Sequence, residues 1–274
     1  MSLVCAEEND TALTSDSINI EAKDISMFYK NGTRLSTVLT DTNDTPVSNA
    51  SLIITINGLD YKRTTNDEGK ASLAINLIPG SYIANINFLG NEKYSPLNKT
   101  LNVNVLSTIA ANDLVKYYKN SSQYYATLFD GTGNVLTNTD VIFNINGVFY
   151  TRQTNSDGIA SLNINLIPGN YIITAQYGES KVSNNIKVLS IIETHDVVMK
   201  YMDGTKFSAK ILDNQGNPYP NQSVTFNING VFYTKISGEN GIANLNINLQ
   251  AGKYIITSMF NKLSVSNTIL INNI

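Results

Sequence analysis

The sequence predicts an all-β protein built from three antiparallel β-sandwich domains in tandem, with about seven strands each. The first observation is a repeat, because one segment recurs at residues 52–86, 141–175 and 224–258, at a spacing of roughly 85 residues that indicates an array of similar domains. The second is the alternation of apolar and polar residues in this segment, which is typical of half-buried strands. The third is an Asn-Gly pair between two apolar runs in every copy, which predicts a tight β-hairpin.

The repeat divides the 274 residues into domain 1 (18–107), domain 2 (108–190) and domain 3 (191–274). We expect residues 1–17 to be a disordered remnant of an export tail, because small residues surround Cys5 as they do at the end of a signal peptide. About four residues without Gly or Pro connect successive domains. Such short connections favour an extended, semi-rigid row.

The strands follow in the same order in each domain, and domain 2 shows them best. Strand A is predicted at 114–118, and strand B directs alternate residues inward up to Leu128 before a turn that begins at Asp130. A third strand from Val141 leads into the Asn-Gly hairpin, and the fourth strand closes it. Strands E, F and G complete the domain, with a longer loop between F and G in domain 1.

Three turn glycines and one tyrosine recur in every domain. The glycines lie in the Asn-Gly hairpin, in the turn before strand E and in the tight turn before strand F, where a tyrosine follows. This tyrosine resembles the tyrosine corner of immunoglobulin-like sandwiches, whose phenol bonds to upstream backbone. We therefore predict structural roles for all of them. They are Gly58, Gly147 and Gly230; Gly69, Gly158 and Gly241; Gly80, Gly169 and Gly252; and Tyr82, Tyr171 and Tyr254.

The composition argues against an enzyme. His195 is the only histidine and Cys5 the only cysteine, so a histidine-based triad, a multi-histidine metal site and an internal disulfide are all excluded. The net charge is −3 and 15% of the residues are charged, which gives no basic surface for nucleic acid. No apolar run approaches the roughly 20 residues that a membrane span needs. We expect no catalytic residue and no cofactor, and a monomer.

Two kinds of residue remain candidates for binding. Asp41, Asp44 and Asp67 lie in oxygen-rich turns that could hold calcium, although their recurrence at turns favours capping of the backbone. Tyr150 and Tyr233, with Tyr61 in domain 1, could stack on sugars or simply pack across strands. The residues that differ between copies lie in the F–G loop, strand A and the turn after strand B. We expect any specific recognition to occur there.

The repeated pattern identifies a resemblance. It runs D-x-x-G-N-x-x-x-N-x-x-V-x-F-N-I-N-G-V-F-Y, followed by D-x-G-x-A-x-L-N-I-N-L-x-P-G-x-Y-x-I, and residues 130–175 and 213–258 fit it closely. Domain 1 departs from it at 59–61. The pattern resembles the immunoglobulin-like repeats of adhesin-like surface proteins of methanogenic archaea, which are related to modules of bacterial intimin- and invasin-type stalks.

The resemblance implies an exported cell-surface protein that acts in adhesion or as a spacer, with an unidentified surface glycan or protein as its partner. It carries over no binding residue, because the matching positions are core and turn positions. The alternative is a carbohydrate-binding or accessory segment of a larger secreted enzyme.

Overall fold

A computed structural model describes residues 16–273. In this range the chain forms 24 β-strands and no helix, and the strands form three repeated domains. This confirms the predicted all-β fold of three tandem sandwiches. Residues 1–15, most of the predicted export tail, lie outside the described residues. Asp16 belongs to the first domain in the structure, because its N–H donates to Lys93 O at 2.8 Å.

Each domain contributes eight strands. Domain 1 has β1 (Ile18–Glu21), β2 (Ile25–Phe28), β3 (Arg34–Asp41), β4 (Ser51–Ile56), β5 (Leu59–Thr64), β6 (Lys70–Ala74), β7 (Gly80–Phe88) and β8 (Leu97–Leu106). Domain 2 has β9 (Ile109–Ala111), β10 (Leu114–Tyr117), β11 (Gln123–Leu128), β12 (Asp140–Ile145), β13 (Val148–Gln153), β14 (Ile159–Asn163), β15 (Gly169–Tyr177) and β16 (Ser180–Leu189). Domain 3 has β17 (Ile192–Thr194), β18 (Val197–Lys200), β19 (Lys206–Ile211), β20 (Ser223–Ile228), β21 (Val231–Ile236), β22 (Ile242–Asn246), β23 (Gly252–Phe260) and β24 (Leu263–Asn272).

Each sandwich combines a three-stranded sheet with a five-stranded sheet. In domain 1 the small sheet has the order β1-β3-β6 and the large sheet the order β2-β8-β7-β4-β5. Domains 2 and 3 repeat both orders with their own strands. The last-named strand of each sheet, β5 and β6 in domain 1, is a free edge.

The predicted strand A is the second of two strands at the start of each domain, and the first, which was not predicted, raises the number per domain from seven to eight. The first, β1, pairs antiparallel with β3, and the second, β2, pairs parallel with β8, so the sandwich is not wholly antiparallel. The chain crosses from one sheet to the other just before β2. There the carboxylate of Asp24 accepts the N–H of Asn102 at 2.8 Å and so fixes the crossing.

The alternating residues of the strands meet in one apolar core per domain. In domain 2 the rings of Tyr124 and Phe143 pack edge to face at 5.7 Å, and in domain 3 Phe207 and Phe226 do so at 5.8 Å. All four side chains are almost completely buried. Burying one such side chain contributes about 1.5–3 kcal/mol, so these rings anchor the two layers to each other.

The connections between domains are shorter than predicted. Only residues 107–108 separate β8 from β9, and only 190–191 separate β16 from β17. In each connection a serine hydroxyl accepts the N–H of an isoleucine two residues later, from Ile109 to Ser107 at 3.2 Å and from Ile192 to Ser190 at 3.0 Å. Both isoleucines are buried in the following domain. The linkers are therefore short and held to the domain that follows.

Candidate interaction surfaces

The hairpin turns need their glycines for backbone conformation alone. Asn146 has φ 53° and Gly147 φ 76°, the left-handed pair that a type I′ turn requires, and the other two domains repeat this pair. No atom lies within 4 Å of a Cβ placed on Gly147. These turns are exposed, and their glycines contribute through backbone conformation.

The second set of glycines lies where two turns touch. Gly158 has φ 71°, and a Cβ there would lie 2.7 Å from Cβ of Val135. Its carbonyl accepts the N–H of Leu128 at 2.9 Å, and Gly69 and Gly241 accept equivalent bonds. A side chain at this position would push apart the turn after strand B and the turn before strand E.

The three recurring tyrosines tie strand F to the turn before it. The phenol of Tyr171 donates to Ile167 O at 2.8 Å, and Tyr82 and Tyr254 make the same bond to Ile78 and Gln250. Gly169 lies beneath this ring, since a Cβ on it would lie 3.1 Å from the phenol oxygen. The pair therefore forms a tyrosine corner.

Asp41, one of the three calcium candidates, stabilises the turn that it begins through hydrogen bonds to backbone N–H groups. Oδ1 of Asp41 accepts the N–H groups of Asn43 and Thr45, both at 2.9 Å. These backbone bonds keep the pKa of Asp41 below its ordinary value, with that from Thr45 contributing most. Asp44 and Asp67 are exposed. Residues 16–273 contain no group of three or more acidic, histidine or cysteine side chains placed to hold a metal ion.

The candidate tyrosines lie at the open edge of each sandwich. Tyr61 and Tyr150 are half-buried against the cores, and Arg63 and Arg152 lie 5.9 and 5.8 Å from their ring centroids. Each pair lines a cleft between the two free edge strands, of about 200 Å³ in domain 1 and about 260 Å³ in domain 2. Tyr233, the equivalent in domain 3, is 40% exposed.

The most exposed aromatic residues were missed by the sequence reasoning. Phe149 and Phe232, next to the hairpin turns of domains 2 and 3, are 69% and 63% exposed. The alternation places them on the outer face of the large sheet, and that signal could have identified them. Asp60 occupies the same position in domain 1.

A turn at the end of each domain contacts the next domain. At the first junction, the turn at Lys30–Asn31 lies against Gly131, where a Cβ would come within 2.7 Å of Cα of Asn31. Tyr29 and Tyr177 line a cleft of about 300 Å³ beside this contact. Within the described residues, no hydrogen bond joins this turn to domain 2.

The second junction uses the equivalent residues and adds hydrogen bonds. Asn120 Nδ2 donates to Asn214 O at 2.7 Å, and Lys119 Nζ donates to the side chain of Asn261. The ring of Tyr117 lies directly against Gly216 and packs on the core of domain 3. The cleft beside this contact measures about 210 Å³.

The junctions show which parts of the surfaces expected to act in recognition contact another domain. In domains 2 and 3 the preceding domain contacts the turn after strand B at Gly131 and Gly216, while Thr132, Asn134 and Gln215 remain exposed. The longer F–G loop of domain 1 folds back on its own domain, because Tyr94 packs into the core and is only 9% exposed. The exposed surfaces include the outer faces and open edges of the sandwiches, residues 91–93 of the F–G loop and the uncontacted part of these turns.

Known structures of tandem domains resemble this chain at low similarity. No family model matches the chain. A tandem of titin domains I9–I11 is 14% identical, with 94% of this chain and 100% of that chain covered and a TM-score of 0.32. Invasin, a bacterial integrin-binding protein, is 16% identical over 94% of this chain and 60% of that chain, with a TM-score of 0.29. A calcium-stabilised, ice-binding adhesin of an Antarctic bacterium is 14% identical over 96% and 75%, with a TM-score of 0.23.

These TM-scores are low, and the all-β fold of three repeated domains follows from the strands and sheets of this chain itself. Among residues 16–273 no helix is long and apolar enough to cross a membrane.

Proposed function

We propose that this chain is a region of a non-enzymatic, exported surface protein of the adhesin-like kind, in which the three domains form an extended row. The observation that carries the proposal is the repeated junction. Equivalent turns, at Lys30–Asn31 and Lys119–Asn120, contact the same turn of the following domain. Domains that only shared a flexible tether would not need two matching contacts.

The resemblance of the repeated pattern to archaeal adhesin-like proteins supports the cell surface as the location. The partner would be a surface glycan or protein. The exposed outer faces carrying Phe149 and Phe232 are the surfaces on which it would bind, because aromatic residues are enriched where proteins meet their partners.

Small-angle scattering of the whole chain tests whether the three domains form an extended row. Three domains of roughly 35–40 Å placed end to end would give a maximum dimension of roughly 110 Å. A compact particle would contradict the proposal. Binding to whole cells and to a glycan array tests adhesion, with Phe149→Ser and Phe232→Ser as variants that leave the cores intact.

The second candidate is a carbohydrate-binding segment of a larger secreted enzyme. The clefts with Tyr61 and Arg63, and with Tyr150 and Arg152, favour it, since pockets for small ligands combine apolar walls with a few polar groups. Loss of glycan binding in Arg63→Ala and Arg152→Ala, with the Phe variants unaffected, would favour this second function over the first.

A further inference from the structure

One edge of the large sheet in each domain is formed by a strand of six residues. These are β5, β13 and β21, each of which pairs with a neighbour on one side only. A free edge presents a row of N–H and C=O groups to which another strand can add, and proteins usually protect such edges with charged side chains. The three edges differ sharply in this protection.

The groups that face outward from β21 follow from its hairpin. Beyond the end of β21, the N–H of Ser237 donates to Gln222 O at 2.9 Å. Hydrogen-bonding direction alternates along an antiparallel strand, so Val231, Tyr233 and Lys235 bond inward to β20. The N–H and C=O groups of 232, 234 and 236 therefore point away from the sheet.

In domains 1 and 2 an arginine covers the central outward carbonyl. Nη1 of Arg63 donates to Lys62 O at 2.6 Å, and Nη1 of Arg152 donates to Thr151 O at 2.7 Å. These oxygens are the acceptors that an added strand would need. Asp60 and Lys62 place two more charges on the edge of domain 1. Both edges are thus protected by their own side chains.

The edge of domain 3 lacks this protection. Lys235 stands in the position of the arginines, but its Nζ makes no hydrogen bond or ion pair with any residue in 16–273, so its side chain does not cover Thr234 O. All six residues of β21 are exposed. Ile236, at 60% exposure, replaces the polar Thr64 and Gln153 of the other edges. The strand offers an open, mostly apolar edge with a single charge.

We propose that β21 pairs antiparallel with β21 of a second copy of this chain, around a two-fold axis at Thr234. In this register Thr234 lies opposite Thr234 of the second copy, Phe232 opposite Ile236, and Tyr233 opposite Lys235. Thr–Thr and aromatic–aliphatic pairs stabilise adjacent strands, and a lysine beside a tyrosine ring adds a cation–π contact.

The same register fails in the other domains. It would place Lys62 of domain 1 opposite Lys62 of the second copy, and like charges directly opposite each other destabilise a strand pair. In domain 2 it would displace the guanidinium of Arg152 from Thr151 O. Domain 3 is therefore the pairing domain. The monomer expected from the sequence then holds only in dilute solution, because a single strand pair forms a small and weak interface.

Disulfide trapping tests the register. Residues in a hydrogen-bonded pair have Cα atoms about 5.5 Å apart, which suits a disulfide. In a Cys5→Ser background, Thr234→Cys lies on the axis, whereas Ile236→Cys on the same face lies roughly 14 Å from its own copy. We expect covalent dimers to form at least about ten-fold faster from Thr234→Cys. Equal rates, or none, would overturn the pairing.

Sedimentation without any added cysteine provides the second test. The weight-average mass of the chain should rise above 30.0 kDa with concentration. Lys235→Arg, which restores the residue type of the protected edges, and Thr234→Lys, which copies the edge of domain 1, should both remain at the monomer mass. A wild-type chain that stays monomeric at the highest concentration, or variants that associate equally, would refute the proposal.

Discussion

The two junctions are built from equivalent turns, yet in the described residues only the second turn forms side-chain hydrogen bonds to the next domain. At the first, Asn31 lies against Gly131, the described residues show no hydrogen bond from its turn to domain 2, and the cleft beside it is about 300 Å³. At the second, Asn120 and Lys119 donate across the contact, and the cleft is about 210 Å³. The repeat thus determines where the domains touch, while a few side chains decide how firmly they are held.

The largest difference between the junctions is expected from alanine at two glycines. Gly216 and Gly133 have φ 88° and 91°, so alanine costs each about 1–2 kcal/mol of backbone strain. At Gly216 the new Cβ would also collide with the ring of Tyr117, whereas the nearest atom to Gly133 is Cε2 of Phe28 at 3.8 Å. Gly216→Ala should lower the unfolding free energy about 1 kcal/mol more than Gly133→Ala. Denaturant unfolding followed by NMR signals of each domain measures both losses, and equal losses would mean that Tyr117 does not lie on Gly216.

A smaller effect is expected from aspartate at the two turn asparagines. Asn120 Oδ1 accepts the N–H of Ser122 at 2.8 Å and Asn31 Oδ1 that of Thr33 at 2.9 Å, and aspartate keeps these bonds. It removes the amide donor, which only Asn120 uses across a junction, to Asn214 O. Asn120→Asp should weaken the second contact by about 0.5–1.5 kcal/mol. NMR relaxation would report looser coupling of domains 2 and 3 in this variant, while Asn31→Asp, as the matched control, leaves domains 1 and 2 unchanged.

The smallest effect is expected from lowering the pH, and it should occur in the contacting turns of both junctions. The hydroxyl of Thr132 and backbone N–H groups lower the pKa of Asp130 from 3.8 to about 2, and the N–H of Asn217 chiefly lowers that of Asp213. A carboxyl with a lowered pKa stabilises the folded state fully above its ordinary pKa and loses this contribution as the pH falls through the folded value. The turn of domain 2 should therefore loosen between about pH 4 and pH 2, and the turn of domain 3 should also loosen as acid protonates Asp213. Amide chemical shifts of the turns would follow the change, and in Asp130→Asn the turn of domain 2 should no longer respond.

The sandwiches and their cores could be predicted because a period of two links burial directly to sequence. Phe143 and Phe226 are buried at the positions that the alternation assigned to the inside. The additional strand before strand A could not be predicted in the same way, since a segment of three residues such as β9 is too short to show a period.

Lys116 shows a second limit of the sequence. It is buried at the position of Met27 and Met199, and its Nζ donates to Ser122 O and Ile164 O, both at 2.9 Å. Burial lowers the pKa of this amine. A lysine is ordinarily assigned to the surface, and only the folded backbone reveals two carbonyls that can receive it.

The candidate surfaces were the least predictable feature. Whether an arginine covers an edge carbonyl depends on its side-chain conformation, and the sequence distinguishes Arg152 from Lys235 only as one basic residue from another. The contact of domain 2 with the turn after Asp213 depends on how two domains meet, which no pattern within one domain records.

Tension along the chain would act on the parallel strands of each domain. In domain 2, β10 lies beside β16 from the pair Leu114–Ile186 to the pair Tyr117–Leu189. A pull on the two ends of the domain draws these strands past each other in opposite directions. The hydrogen bonds between them are then strained together in shear, whereas a hairpin pulled open at its end loses them one at a time. We therefore expect each domain to resist stretching as a unit, so that the row behaves as a mechanical element.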